Sequence, residues 1–490
     1  MYWLAEAMLW GWLPVVLLLF LVMPARRAVV VALIVSWLLL PELAIELKFV
    51  PDYTKMAATC YGIILGALLL DPQSRVLKFK PRWIDIPIVV WCVCPLFTSI
   101  SNGLGPYDGA TSVVGRVLLD GLPYLIGRLY FRSPEEVKDF AYGVVVGGLF
   151  YVPLCLYEVR MSPHLHQMLY GFQPFQDWSQ AKRWGGFRPT VFLRHGLAVG
   201  VWMTATAAMA FWLWRTRAVR EVFSVPMFVI VAVMVVTAVL CKTATALILF
   251  TGILAVMLTV RYLGTKFFMY ALLAFIPLFL AARATQAFTG TDVAVWMEGN
   301  VPLMEDRAKS LRFRMDHENA IIGHTYERPI FGWGGWGRAF DVYLPEYNMR
   351  AVPDSLWIYA FGQNGIVGLA AIYGLFLIPP WVLLSKLKVR EWAGARCAPL
   401  TGMAMICLIF AMDGLFNNMD NPVFIVAIGA VAGMAASVTR EAAAGRVKAH
   451  DRPRPQPPVE DDAPRGPQPE PLILLDAPAI DPSGPGGAAR

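Results

Sequence analysis

The chain has 490 residues, of which 57% are hydrophobic and only 16% charged, and its mean hydropathy is +0.54. A soluble domain of that composition would aggregate, so the expectation is a membrane protein. The net charge of +7 forms no basic stripe with interleaved aromatics, which argues against nucleic acid as a partner; the cations fall in short links between apolar runs, as membrane orientation requires.

A bilayer core about 30 Å thick needs roughly 20 apolar residues at about 1.5 Å each. Runs of that kind occupy 8–24, 28–46, 56–71, 84–100, 141–158, 191–214, 223–241, 244–260, 267–283, 356–384, 398–415 and 422–438. The first lacks a basic leading segment and is therefore expected to stay in the protein rather than serve as a cleaved signal. Lys and Arg gather at Arg26 and Arg27, from Arg75 to Arg82, from Arg215 to Arg220, at Arg261 and Lys266, from Lys386 to Arg396 and after Arg440, and these links are expected on the cytoplasmic side.

The signs agree when one weaker segment, 109–131, also crosses, giving thirteen spans with the N-terminus outside. It carries Arg116 and Asp120 one helical turn apart, which at that depth must pair or face water; the alternative is that the segment re-enters or lies at the interface. The seven cysteines sit in or beside apolar runs with no zinc or redox spacing and read as small hydrophobes. The fold class expected is an all-α polytopic membrane protein of 12–13 transmembrane helices, residues 1–438, with one large periplasmic loop at 284–355. Residues 439–490, with eleven of the 36 prolines, read as a disordered cytoplasmic tail.

External segments 101–108, 159–190 and 284–355 have room for chemistry. No repeat, Walker loop, HExxH or GxSxG occurs. Arginines do collect at the external face: Arg188 just before the span at 191 and Arg194 just inside it, in RWGGFRPTVFLRHGLAVG beside His195, and Arg312 and Arg314 in RFRMDHENAIIGHTYERPIFGWGGWG. A guanidinium stays charged and grips phosphate oxygens through a planar fork. Four of them suit a diphosphate whose lipid remains in the membrane; each taken singly also fits interfacial snorkelling or a salt bridge. Trp333, Trp336, Tyr343, Tyr347, Trp357 and Tyr359 suit either a platform for sugar rings or an interfacial belt, and GWGGWG suits a tight turn with close backbone approach.

In these strings the chain resembles the bacterial O-antigen ligases and the O-antigen and exopolysaccharide polymerases. Arg314 lies fifteen residues before Pro329 of a Pro-x-x-Gly-x-Gly turn, and Asp354 in PDSLWIYAFGQNGIVG lies eleven before Gly365 of a Gly-x-x-Gly helix start, with Gly368. The resemblance covers about 120–420, with PYLIGRLYF upstream. The ligases place His where this chain has Asp354, which tilts the reading to a polymerase. The resemblance implies a metal-independent inverting glycosyltransferase of the bacterial inner membrane, without cofactor, its active site facing the periplasm. Its partners would be an undecaprenyl diphosphate-linked glycan, an acceptor glycan or glycolipid, membrane lipids and other polysaccharide-assembly proteins. Arg188, Arg194, Arg312 and Arg314 would hold the diphosphate. Asp354 would take the acceptor's proton, with His324 and His317 as alternative bases. The rivals are an O-antigen ligase acting on a lipid A core, a secondary transporter or flippase of a lipid-linked or anionic solute, and a scaffold without chemistry; a transporter is expected to show an internal repeat.

Overall fold

The computed structural model describes residues 2–48, 51–175, 178–183, 185–300 and 305–450. Among the described residues it is mostly helical, with three two-stranded antiparallel hairpins. Helices α1 (Trp3–Val22), α2 (Ala25–Leu39) and α3 (Lys55–Leu69) are separated by prolines: α1 stops before Pro24, and α2 stops before Pro41 rather than running to 46, because a residue ahead of proline avoids the helical region. Thr54 caps α3 by accepting the Ala57 N–H at 3.3 Å.

After α4 (Ile86–Ser101) come α5 (Gly105–Arg116) and α6 (Leu122–Tyr130), joined through a π turn at Val117–Gly121 into one rod over the weak segment 109–131. Its charges are matched. Arg116 pairs with Asp120 at 3.4 Å, and Asp120 accepts the Trp91 indole N–H at 2.7 Å. Arg128 forks onto buried Asp85 at 2.7 and 2.9 Å, and the Tyr124 hydroxyl adds a bond of 2.7 Å to the same carboxylate. Removing either partner of that buried pair would cost about 3–5 kcal/mol.

Then follow α7 (Pro134–Met161), α8 (Leu165–Tyr170) and the hairpin β1 (Lys182–Arg183) and β2 (Gly186–Phe187). Helix α9 (Gly196–Arg215) starts at Gly196, not 191, so Arg194 precedes the helix instead of lying inside it. The hairpin β3 (Glu221–Val222) and β4 (Val225–Pro226) leads into α10 (Met227–Leu240), α11 (Ala244–Leu258) and α12 (Phe267–Ala284). The loop expected at 284–355 is itself folded, with α13 (Thr291–Asn300), α14 (Glu305–Thr325) and the hairpin β5 (Tyr343–Leu344) and β6 (Met349–Arg350). Helices α15 (Leu356–Lys386), α16 (Val389–Trp392), α17 (Ala398–Asp413) and α18 (Pro422–His450) close the chain.

Seven helices among the described residues are long and apolar enough to cross a membrane: α1, α4 with its leading turn, α7, α9, α11 with its trailing turn, α12 and α15. The shorter apolar helices α3, α10, α17 and the Pro422–Ser437 part of α18 fall on four more of the expected spans. The chain is an all-α membrane protein. Helices α9 and α17 are buried almost all round, as an all-apolar helix should be, and the Trp212 indole donates to Thr401 Oγ1 at 3.0 Å between them.

The compact unit is Met1–Ala442. Helix α18 continues to His450, beyond the boundary at 438, because EAAAGRVKAH is rich in strong helix formers. The rest of the expected tail, 451–490, lies outside the described residues. The seven cysteines are free, six of them buried.

Candidate functional site

A cavity of about 940 Å³ opens where the α2–α3 link, the segment 174–196, the start of α15 and the link before α18 meet. Its walls carry Lys55, Arg116, Arg188, Arg194 and His195 on the basic side, and Glu42 and Asp420 on the acidic side. Lys55 is already satisfied, by Glu42 at 2.6 Å and the Trp37 carbonyl at 3.1 Å.

The placement of Arg188 follows from a buried carboxylate far away in sequence. Glu158, near the end of α7, accepts the N–H groups of Leu165, Thr190 and Val191 at 2.9, 2.8 and 2.7 Å, and the Tyr151 hydroxyl accepts that of Phe192 at 3.2 Å. These bonds fold residues 190–192 back on α7, with Val191 at φ 53°. The Arg188 stem passes over Gly196, where any Cβ would collide with it. Arg188 is 5% exposed, its Nε has no hydrogen-bond partner among the described residues, and its charge stands within reach of Arg183, Arg307 and Arg314. Burial first, then these neighbours, push the guanidinium down to about 10, so it remains charged.

His195 caps α9: Nδ1 accepts the Leu197 N–H at 3.1 Å. Burial, followed by the charges of Arg188, Arg183, Arg314 and Arg194, drives the imidazole down to about 4. The ring is neutral, and with Nδ1 acting as acceptor its proton sits on Nε2. His195 is therefore a donor on the cavity wall and not a base.

Arg314 donates to the Phe416 carbonyl at 2.8 Å and stands 3.5 Å from Asp354. Asp354 does not cap α15, as its position suggests; Ser355 is the N-cap, and its hydroxyl is given to Glu318 at 2.5 Å. Glu318, raised by burial, in turn takes Arg283 at 2.8 Å, which ties α12, α14 and α15 together beside the cavity. Arg312 is not in the arginine group. Two residues along a helix is a turn of about 200°, so it faces away from Arg314 and meets Glu298 at 3.6 Å and Asp316 at 3.8 Å on the surface. Arg307, seven residues before Arg314 and on the same face, takes that place.

Both loop histidines are engaged in contacts of their own, and His317 stands within electrostatic reach of Asp354. His317 Nδ1 accepts the Val352 N–H at 2.9 Å, which leaves its proton on Nε2. His324 stacks on Trp333 at 4.2 Å between ring centres and meets the Arg338 carbonyl at 3.3 Å. Of the six aromatics, Trp357 is buried beneath Arg283 and Trp333 packs on His324, whereas Tyr359 lines the cavity. Tyr359, Arg116 and Leu119 also border a neighbouring cavity of about 400 Å³ that includes Trp336.

Both glycine motifs meet here. Gly365, at φ 62° and ψ −159°, breaks α15, and the segment 329–334 lies in the break: Trp333 and Gly334 N–H bond the carbonyls of Gly362 and Gln363 at 3.0 and 2.9 Å, and Ile366 N–H bonds that of Pro329 at 2.8 Å. A Cβ on Gly332, at φ 68°, would come within 2.5–2.7 Å of this backbone, and one on Gly365 would strike the Ile330 carbonyl.

Sequence reading passed over Glu158, Arg307 and Asp420. Arg307 alone carried a signal, its heptad spacing from Arg314. Asp420 sits in the short link before α18, exposed on the cavity wall; desolvation by the surrounding protein and then Asp120 raise its carboxyl, against Arg116 and Arg194. Compared with known proteins, the chain matches no protein-family model and no curated sequence.

Proposed function

We propose that the chain is a membrane glycosyltransferase that moves a glycan from undecaprenyl diphosphate to an acceptor sugar, acting as a polysaccharide polymerase at the periplasmic face of the bacterial inner membrane. The observation that carries the reading is Arg188: a buried guanidinium with no acid partner among the described residues, on a large cavity shared with Arg194 and the neutral donor His195. Arg188, buried beside other cations with no carboxylate paired to it among the described residues, is held at an electrostatic cost that a bound polyanion removes.

In the proposed reaction the acceptor hydroxyl oxygen attacks the anomeric carbon and the bond from that carbon to the diphosphate oxygen breaks, with inversion. Charge growing on the departing diphosphate is met by Arg188, Arg194 and the His195 Nε2–H, with Arg307 and Arg314 behind them. The hydroxyl proton passes to a carboxylate. Asp420 stands on the wall, and Asp354 stands beside Arg314. Asn at each position assigns the base, since the amide keeps the shape and cannot accept the proton.

The deciding experiment is the lipid-linked glycan profile of a deletion strain. Accumulated single repeat units support a polymerase, accumulated long chains indicate a ligase, and an unchanged profile overturns both. Cysteine labelling in whole cells tests the orientation: residues 284–355 should react before, and 385–397 only after, the inner membrane is permeabilised.

A further inference from the structure

Helix α9 links two basic regions. From its cap at His195 to Arg215 it spans 20 residues, a rise of about 30 Å, which is the thickness of a bilayer core. Its far end therefore lies at the opposite headgroup level from the cavity. There the chain turns sharply, with Arg217 at φ 57° and the N–H groups of Arg217 and Ala218 bonded to the carbonyls of Trp214 and Leu213 at 3.0 Å each, before it enters the β3–β4 hairpin.

The turn borders a third cavity, of about 500 Å³, lined by Trp214, Arg215, Arg217, Val219 and Arg220. Arg215 lies over the rings of Trp214 and Tyr262 at 5.4 and 5.5 Å. Among the described residues no carboxylate forms an ion pair with any of the three, and Arg217 and Arg220 are exposed. The negative end of the α9 dipole accounts for one cation there, not for three around a cavity. Tyr262, under Arg215, is exposed, as are Phe223 in the hairpin that follows and Leu263 and Phe267, next along the chain from Tyr262.

We propose that this cavity binds the phosphate of an anionic phospholipid, with the headgroup in the three guanidinium forks and the acyl chains along Phe223, Tyr262, Leu263 and Phe267. Guanidinium forks match phosphate oxygens, and cations beside an apolar face match a lipid better than a free anion. The site is separate from the proposed transfer reaction and stands whether or not that reading holds.

The test is native mass spectrometry of the whole protein, purified in neutral detergent and titrated with cardiolipin, phosphatidylcholine or inorganic phosphate. Cardiolipin is expected to bind the wild type and at least tenfold more weakly when Arg215, Arg217 and Arg220 are all changed to Gln. Phosphatidylcholine binding should not change, and Gln at Lys388, Arg390 and Arg396 should leave cardiolipin binding intact. Equal cardiolipin binding by wild type and the first triple variant overturns the proposal, as does displacement of the lipid by millimolar inorganic phosphate. Should the triple variant fail to fold, the pair Arg217→Gln and Arg220→Gln, both at exposed positions, is read the same way.

Discussion

Arg188→Met separates a binding role for this residue from a structural one. Met keeps much of the stem that crosses Gly196 and removes the charge. In the ligand-free protein Arg188 is 5% exposed among like charges. Two like charges on the order of 8 Å apart in an effective dielectric of about 20 repel by roughly 2 kcal/mol before screening. The variant should thus melt at or above the wild-type temperature. Binding should move the other way: loss of a charge-assisted fork costs about 2–3 kcal/mol, or roughly 30- to 150-fold in affinity. The assay is thermal melting of purified protein with and without a short-chain prenyl diphosphate, whose stabilising effect grows with the logarithm of its concentration over Kd. Arg188→Lys, with charge but no fork, should fall between. A Met variant that melts several degrees lower yet keeps the full diphosphate shift would refute the reasoning and make Arg188 a packing residue.

Further outcomes follow from the same geometry. Because the folded pKa of His195 lies near 4, below its unfolded value, the unfolded chain takes the proton first; the His195 contribution is complete above about pH 6.5 and is lost as pH falls toward 4. His195→Asn, which retains a cap acceptor, should flatten the melting temperature over that window, as a pH series on both proteins will show. Gly332→Ala and Gly365→Ala should each destabilise by more than about 2 kcal/mol, combining a left-handed backbone with a backbone collision, and should lower membrane abundance measured by immunoblot. Glu318→Gln leaves Arg283 buried without its anion and should cost about 3–5 kcal/mol in thermal unfolding, whereas Arg312→Ala, on the surface, should leave both stability and glycan output near wild type.

Hydropathy was sufficient to locate the helices under the expected spans, because a bilayer-length apolar run has few alternatives, but it gave no sign of α13 and α14 within the expected loop. Helix ends were less legible. Pro41 marked the end of α2, but nothing local announces that Val191 to His195 is pulled out of helix by Glu158, a contact made across more than thirty residues. Arginine was readable as a residue type and only partly as a set. Arg188 and Arg194 line one cavity, while Arg312 was chosen on nearness in sequence where helical phase favours Arg307. Carboxylates were the least legible: Asp354 stood out by its spacing, and Asp420 lies on the cavity wall in a link too short to attract notice, whose backbone is bonded to the start of α15.

The turn segment 329–334 is stitched by backbone bonds into the gap in α15, so the folded region after α12 has no clean seam on its C-terminal side. A chimera that exchanges 284–355 alone would cut across this joint, leaving one partner's glycine-rich segment against the other's broken helix. The exchangeable cassette is 284–368, in which loop and helix break travel together. Variation in this region is correspondingly free only where it leaves the joint untouched, on the rim carrying Trp336, which is 85% exposed, and not along the seam itself.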